Sequence, residues 1–215
     1  MRRPTILSVA LAIALPLPPA TAQRPPREQT AARLDALARA FVASGATPGL
    51  AVYVLRGDDP LLLRGYGYAN LEDSAPVTPR TVFRIGSLTK QFTAAAVMRL
   101  VQEGRIALND TIQRFLPTFP TRGHRATIRQ LLAHTSGIRS WTSIEGWDSN
   151  RHAPQDSVVA LIASQPFDFP PGQRWQYSNS GYYLLGVILE RVTGRPYDQV
   201  VRDMLAAPFG LADTR

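Results

Sequence analysis

The chain has 215 residues, of which 45% are hydrophobic and 19% charged, a composition typical of a globular protein rather than a disordered one. Its formal net charge is +8, but the arginines are scattered singly, which argues against a clustered nucleic-acid-binding surface. Because it contains no cysteine, disulfides and a thiolate nucleophile are excluded. The three histidines lack the spacing of metal ligands, so we expect neither a metal nor a cofactor.

Residues 1–22 have the pattern of a cleaved secretory signal. A positively charged start precedes an apolar core at 6–15 that is too short to span a bilayer, and small residues at 20–22 form a cleavage site. The alternative is an uncleaved membrane anchor. Residues 23–27 are then a short basic leader. A cleaved signal predicts that the mature protein is periplasmic or secreted.

Residues 28–215 are predicted to form one domain that begins with a helix and a hairpin. Apolar residues at helical spacing indicate an amphipathic helix over 28–43. Two strands, 49–56 and 61–69, follow around a turn at 57–60. The later elements are a loop at 76–79, a helix over 88–103 that we expect to be buried on most sides, a short element at 110–116, and helices over 127–134, 155–164, 182–192 and 197–205.

Two segments in the middle of the chain allow both a structural and a functional interpretation. Ser136 lies close to His134, but no orienting acid is placed nearby, so we interpret this pair as part of a tight turn. Trp141 and Trp147 lie among polar residues, where they either line a pocket or cover the core. At the helix that precedes the turn, Thr127 and the glutamine three residues later form a capping box.

Ser87 and Lys90 are the strongest candidate catalytic pair. Residues three apart at the start of a helix face the same way, which places the hydroxyl beside the amine. A serine hydroxyl needs a neighbouring base, and a lysine amine acts as one only in its neutral form, which desolvation and a helix N-terminus both favour. Lys90 is also the single lysine among 24 basic residues. The structural alternative is a helix cap beside a solvent-exposed cation.

Three motifs in order resemble those of the serine β-lactamase and penicillin-binding-protein superfamily. They are Ser-Leu-Thr-Lys at 87–90, Leu-Leu-Ala-His-Thr-Ser-Gly at 131–137 and Tyr-Ser-Asn at 177–179. The Tyr-x-Asn form is similar to that of class C β-lactamases and the related esterases and D-aminopeptidases. The segment 207–214 also resembles this superfamily, and the match runs from about residue 34 to the last residue.

The resemblance implies a role for each of four residues. Ser87 would be the acylated nucleophile, and Lys90 would help to deprotonate it and relay protons. Tyr177 would be the base or proton shuttle and later activate the deacylating water. Asn179 would hold the Lys90 amine and bind a substrate amide carbonyl. The backbone N–H of Ser87 would supply half of an oxyanion hole. For Tyr177 the structural alternative is a buried aromatic residue with a satisfied hydroxyl.

The resemblance also implies a fold. It is an α+β fold, a β-lactamase/transpeptidase-like α/β/α sandwich with an antiparallel sheet and a helical subdomain. Nothing after Tyr177 matches the superfamily's third motif, a Lys- or His-containing triplet on a late strand. We therefore expect the chain to lack the C-terminal strands, to supply only the first two strands of a five-stranded sheet, and to be the N-terminal part of a longer hydrolase.

The expected function is that of an exported serine hydrolase acting on a β-lactam, a D-amino-acid peptide or an ester. The alternative from another class is a non-catalytic relative that binds peptidoglycan peptides or β-lactams without turnover. The sequence does not choose among the acyl substrates. We expect a monomer whose partners are small-molecule or peptide acyl substrates, with cell-envelope peptidoglycan as one candidate and no nucleic acid.

Overall fold

The computed structural model describes residues 25–120, 122–148 and 153–214. The predicted signal and the first two residues of the leader lie outside these ranges. The chain divides into two compact units, one ending at Val82 and the other beginning at Phe83. Within the described ranges, no helix is both long and apolar enough to cross a membrane.

The first unit contains one helix and an antiparallel sheet. Helix α1 covers Arg27–Ala43, and it ends where predicted because Gly45 adopts a positive φ of 76°. Strands β1 (Gly49–Arg56) and β2 (Asp59–Asn70) form the predicted hairpin. The sheet of this unit and the helices of the second unit confirm the α+β class.

The hairpin turn is shorter than predicted, and the sheet has one more strand. Arg56 pairs directly with Asp59, so the turn has only two residues, and a positive φ of 62° at Gly57 suits such a tight connection. Strand β3, Ala75–Pro76, pairs with β2 where a loop was expected. The expectation of two strands was therefore wrong, because a two-residue pairing leaves no alternation pattern in the sequence.

The second unit is helical and contains the main core. Helix α2 covers Thr89–Gln102 and helix α6 covers Asn179–Thr193. The largest fully buried apolar side chains of this core are those of Val97, Leu100, Ile112, Ile128, Leu131, Ile162, Leu184, Leu185, Ile188, Leu189 and Val200. The other helices are α3 (Ile112–Phe115), α4 (Ile128–Leu132), α5 (Gln155–Ser164) and α7 (Tyr197–Val201), the last continuing as a π-helical turn over Arg202–Ala206.

Helix α2 is buried on one face only, so the prediction that it is buried on most sides was wrong. Its buried residues are Thr93, Ala96, Val97 and Leu100, which recur at the spacing of a single helical stripe. Met98 on another face is 42% exposed. The apolar run of the sequence misled the prediction because Ala95 and Met98 occupy exposed positions.

Several boundaries around the later helices also differ from the predictions: helix α4 ends at Leu132 rather than at residue 134, and helix α7 ends at Val201 rather than at residue 205 because the chain continues as a π-helical turn. The capping box at Thr127 is present and helix α5 has the predicted bounds. Helix α6 begins at Asn179, three residues earlier than predicted, because the Ser178 side chain accepts a hydrogen bond from the Gly181 N–H and caps the helix there. This earlier start places Asn179 in the first turn of the helix.

Candidate active site

Ser87 lies in a short 3₁₀ turn, Gly86–Leu88, that leads directly into helix α2. Gly86 has a φ of 52°, a conformation that glycine adopts without steric cost. Lys90 follows in the first turn of the helix, and its Nζ donates a hydrogen bond of 3.2 Å to Ser87 Oγ. The local geometry therefore forms the pair that the sequence predicts. The Ser87 side chain is exposed and that of Lys90 is half-buried.

Tyr177 reaches the same point from a distant part of the chain. Its hydroxyl shares a hydrogen bond of 2.7 Å with Ser87 Oγ. The Nζ of Lys90 lies 4.8 Å from the centroid of the Tyr177 ring. Tyr177 is 40% exposed, so it is not the buried aromatic residue of the structural alternative.

Asn179 completes the set of candidate residues. Its Oδ1 accepts a hydrogen bond of 2.7 Å from Lys90 Nζ. Across the part of the chain that the structure describes, Lys90 forms no ion pair with a carboxylate. The structure thus brings all four predicted residues together, with the lysine held by neutral oxygen atoms of a serine and an asparagine.

The Asn179 side chain is itself oriented by two residues that the sequence analysis missed. Its Nδ2 donates to Thr142 Oγ1 at 2.9 Å, and its backbone N–H donates to Ser140 Oγ at 3.1 Å. The hydroxyls of Ser140 and Thr142 are also hydrogen-bonded to each other at 3.0 Å. No spacing signal marks these residues, because they lie nearly forty positions away from their partner.

Two serines on either side of Asn179 join the same two segments. The Ser178 hydroxyl donates to the Ile138 carbonyl at 2.9 Å, and the Ser180 hydroxyl donates to the Arg139 carbonyl at 2.7 Å. Both serines are buried. Because buried polar groups are costly to leave unpaired, these bonds define the position of the loop against the start of helix α6.

His134 and Ser136 do not form a catalytic pair, in agreement with the structural interpretation. The Ser136 hydroxyl is only 2% exposed and accepts from the Ile138 N–H. His134 Nδ1 instead accepts from the Ser178 N–H at 3.2 Å, and its ring centroid lies 4.7 Å from that of Tyr177. We infer that His134 supports the loop that carries Tyr177.

The turn after His134 depends on a glycine. Gly137 has a φ of 73°, and a Cβ added there would lie 1.9 Å from the Phe169 carbonyl oxygen. The Gly137 carbonyl in turn accepts from the Asp168 N–H at 2.8 Å. This close approach explains why only glycine fits at the position.

The electrostatics of the site act on Tyr177 and His134. Burial alone raises the pKa of Tyr177, but its interactions with the Lys90 ammonium and the Ser87 hydroxyl outweigh burial and lower the pKa below the ordinary value of 10.0. Burial, and then the positive charge of Lys90, lowers the pKa of His134 below 6.5. The histidine is therefore neutral at neutral pH, as its acceptor role at Nδ1 requires.

The lowered pKa of His134 predicts a pH-dependent stability. The unfolded chain binds the proton first as the pH falls below 6.5, so the contribution of His134 to the free energy of unfolding is complete above this pH and decreases below it. Denaturant titrations at a series of pH values between 8 and 5 will measure this decrease.

His134→Asn is the informative variant for that prediction. Asparagine tolerates the φ of 58° at this position and offers an acceptor that does not titrate. We expect His134→Asn to flatten the dependence of stability on pH just below 6.5, whereas the control His124→Asn retains it. An unchanged dependence in His134→Asn would show that other groups cause it.

A cavity of about 510 Å³ opens beside the candidate residues. Ser87, Lys90 and Asn179 line it, together with Trp141 and Thr142. Trp141 therefore lines a pocket and also packs against the core, so both interpretations of this residue apply. Trp147 packs against the core and makes an edge contact with Trp141, with ring centroids 4.5 Å apart.

A sequence profile of the family described as Beta-lactamase matches residues 34–215. The chain belongs to the beta-lactamase family. Among curated relatives, it is 34% identical over 168 residues to "Penicillin-binding protein 4*" of Bacillus subtilis (strain 168), an alignment that covers 76% of this chain and 37% of the relative. The predicted membership of the serine β-lactamase and penicillin-binding-protein superfamily is confirmed.

Solved structures of beta-lactamase-like fold agree with this assignment. One is "EstCE1, a hydrolase with promiscuous acyltransferase activity", with a TM-score of 0.75, 27% identity, and coverage of 85% of this chain and 52% of that one. Another is the D-amino acid amidase from Ochrobactrum anthropi SV3, with a TM-score of 0.73, 30% identity, and coverage of 85% and 50%. The family and these neighbours are hydrolases of the serine β-lactamase and penicillin-binding-protein superfamily.

Proposed function

We propose that the chain is an exported serine hydrolase that forms an acyl-enzyme on Ser87. The observation that carries the proposal is the hydrogen-bonded cluster around Ser87 Oγ, which lies 3.2 Å from Lys90 Nζ and 2.7 Å from the Tyr177 hydroxyl. A nucleophile within hydrogen-bond distance of its base, with the base held by a further group, is the arrangement required for nucleophilic catalysis.

Acylation begins with attack of Ser87 Oγ on the carbonyl carbon of the substrate. The Ser87 proton passes to the Tyr177 phenolate or to a neutral Lys90 amine, and the bond to the leaving group breaks as that group takes up the proton. The backbone N–H of Ser87 stabilises the oxyanion. For deacylation, Tyr177 accepts a proton from water, the water oxygen attacks the acyl carbon, and Ser87 leaves with a proton returned through Lys90.

Asn179 has two functions in this proposal. Its Oδ1 accepts a hydrogen bond from the Lys90 amine. Its Nδ2 donates one hydrogen to Thr142 Oγ1 and has a second hydrogen to donate to a substrate amide carbonyl. Because Thr142 and Ser140 restrict the rotation of the amide, the Lys90 amine is oriented toward Ser87 before substrate arrives.

The proposed substrates are β-lactams, D-amino-acid peptides or amides, and esters. Support comes from the solved relatives, which include a D-amino acid amidase and a hydrolase with promiscuous acyltransferase activity. The chain spans 37% of the length of the curated relative Penicillin-binding protein 4*. Export through a cleaved signal at 1–22, to a periplasmic or extracellular site near peptidoglycan, belongs to the same proposal.

Intact-mass measurement of the purified chain tests the proposal. We expect a fluorophosphonate and, separately, a β-lactam to add one adduct mass each, and peptide mapping to locate the adduct on Ser87. A chain that is folded by circular dichroism and binds a β-lactam without any adduct would contradict the hydrolase and support the non-catalytic alternative.

The lowered pKa of Tyr177 predicts the pH dependence of acylation. In the route through Tyr177 the phenolate accepts the Ser87 proton, so the acylation rate rises with pH and levels off at an apparent pKa below 10.0. Labelling rates measured from pH 6 to 10.5 will show this rise. In Tyr177→Phe we expect the rise of the rate with pH to disappear, whereas Tyr182→Phe, which removes a neighbouring phenol, retains it. A rise that persists in Tyr177→Phe would show that another group causes it.

A further inference from the structure

The cavity beside Ser87 extends along one face of helix α6, well beyond the residues that carry the proposed chemistry. The helix contributes Asn179, Tyr182, Tyr183, Gly186, Val187 and Glu190 to its lining. These positions follow the spacing of a single helical stripe. At 1.5 Å per residue, the eleven steps from the first to the last extend roughly 16 Å. We call this elongated space the α6 groove.

The middle of the α6 groove is apolar and partly aromatic. Its walls include Trp141 and Tyr197, and the Tyr197 hydroxyl is held by a 2.6 Å hydrogen bond with Thr93 Oγ1. Gly186 lies on helix α6, and a Cβ there would make only ordinary contacts of 3.6 and 3.7 Å with the Tyr197 ring. Absence of a side chain at Gly186 therefore leaves space for a ligand rather than relieving a backbone clash.

The far end of the α6 groove is acidic. The Glu190 carboxylate accepts hydrogen bonds from the Gln155 side-chain amide and, at 2.8 Å, from the Tyr197 N–H. Both donors are neutral, and within the described ranges Glu190 forms no ion pair. Burial, followed by the negative charges of Glu190 and Asp156, raises the pKa of the neighbouring Tyr183, which is consistent with a negative potential here.

We propose that the α6 groove binds the acyl part of the substrate and selects an elongated apolar or aromatic acyl group that ends in a cation, such as a primary ammonium. This inference rests on the proposed function, since Ser87 and Lys90 lie at one end of the groove and Glu190 lies at the other. The apolar walls bind the body of the acyl group, and each Glu190 oxygen retains a lone pair for an ammonium. A carboxylate at the same position is repelled.

Kinetics with matched esters provide the first test. The substrates are p-nitrophenyl acetate and three p-nitrophenyl esters with eight-carbon acyl groups that end in a methyl, an ammonium or a carboxylate. We expect kcat/KM for the ammonium ester to exceed that for the methyl ester about fivefold, a ratio in the range of a partly exposed ion pair, and the carboxylate ester to be the slowest of the three. Equal values for the three ends would overturn the proposal.

Two variants locate the selectivity. Glu190→Gln keeps the shape and one acceptor of the side chain, and we expect it to remove the ratio between the ammonium and methyl esters. Gly186→Leu fills the groove, and we expect it to lower the ratio of eight-carbon to acetyl ester rates at least about tenfold, the scale of a lost apolar contact. The exposed Glu145→Gln is the matched control and leaves the ratios unchanged.

A binding assay separates this inference from the hydrolase proposal. In Ser87→Ala protein, isothermal titration calorimetry measures the affinity of eight-carbon primary amides with the same three ends, and no turnover is needed. If the ammonium amide binds more tightly and this advantage is lost on adding Glu190→Gln, the result supports binding of the acyl group in the α6 groove even if no acyl-enzyme forms. Equal affinities for the three amides contradict the proposed selectivity of the α6 groove even if esters are hydrolysed.

Discussion

Ser87→Ala is expected to abolish covalent labelling by a fluorophosphonate or a β-lactam and to lower ester hydrolysis by a factor on the order of 10⁶, as when the nucleophile of another serine hydrolase is removed. The reason is that Ser87 Oγ is the acceptor of the Lys90 hydrogen bond and the partner of the Tyr177 hydroxyl. Intact-mass spectrometry over a time course measures the labelling.

Ser157→Ala is the matched control for this variant, because Ser157 is exposed on helix α5 and does not line the cavity. It should label at the wild-type rate. An adduct that forms on Ser87→Ala protein at an undiminished rate would show that the reagent reacts elsewhere, and it would refute the assignment of the nucleophile.

Lys90→Arg is expected to slow acylation about 10²–10⁴-fold, the range for loss of a positioned proton-transfer group. Arginine keeps the positive charge but stays protonated, so it cannot accept the Ser87 proton. Its planar guanidinium also cannot reproduce the two bonds that Lys90 Nζ makes to Ser87 Oγ and Asn179 Oδ1. The second-order rate constant of fluorophosphonate labelling measures the effect.

The reverse exchange on the same helix is a suitable control. Arg99 is exposed and paired with Glu103 four residues later, so Arg99→Lys should acylate at the wild-type rate. If Lys90→Arg also labels at the wild-type rate, the cationic charge alone suffices, and proton transfer through Lys90 is ruled out. Circular dichroism of both variants separates a chemical effect from a loss of folding.

Residues close in sequence could be placed correctly without a structure. Ser87 and Lys90 are three residues apart, and the Thr127 capping box spans the same separation, so one turn of helix decides both geometries. The β1–β2 hairpin was also predictable from local patterns, although its turn is two residues shorter than expected. These features depend on backbone geometry over a few residues.

The motifs in the sequence also placed the chain in its family. Tyr177 and Asn179 were assigned to the site through their resemblance to the superfamily, because no local rule brings residues about ninety positions away to Ser87 and Lys90. The profile match over residues 34–215 confirms the family, while the chemical roles stay predictions.

Only the tertiary structure showed which residues orient the site and which cavity adjoins it. Ser140 and Thr142 orient Asn179, and His134 contacts the Tyr177 ring, yet none of these partners follows from spacing. The one-sided burial of helix α2 and the α6 groove that ends at Glu190 likewise became visible only in the folded chain. Periodicity identifies which residues share a helix face, but the packing of distant segments decides whether that face is covered or left open to a ligand.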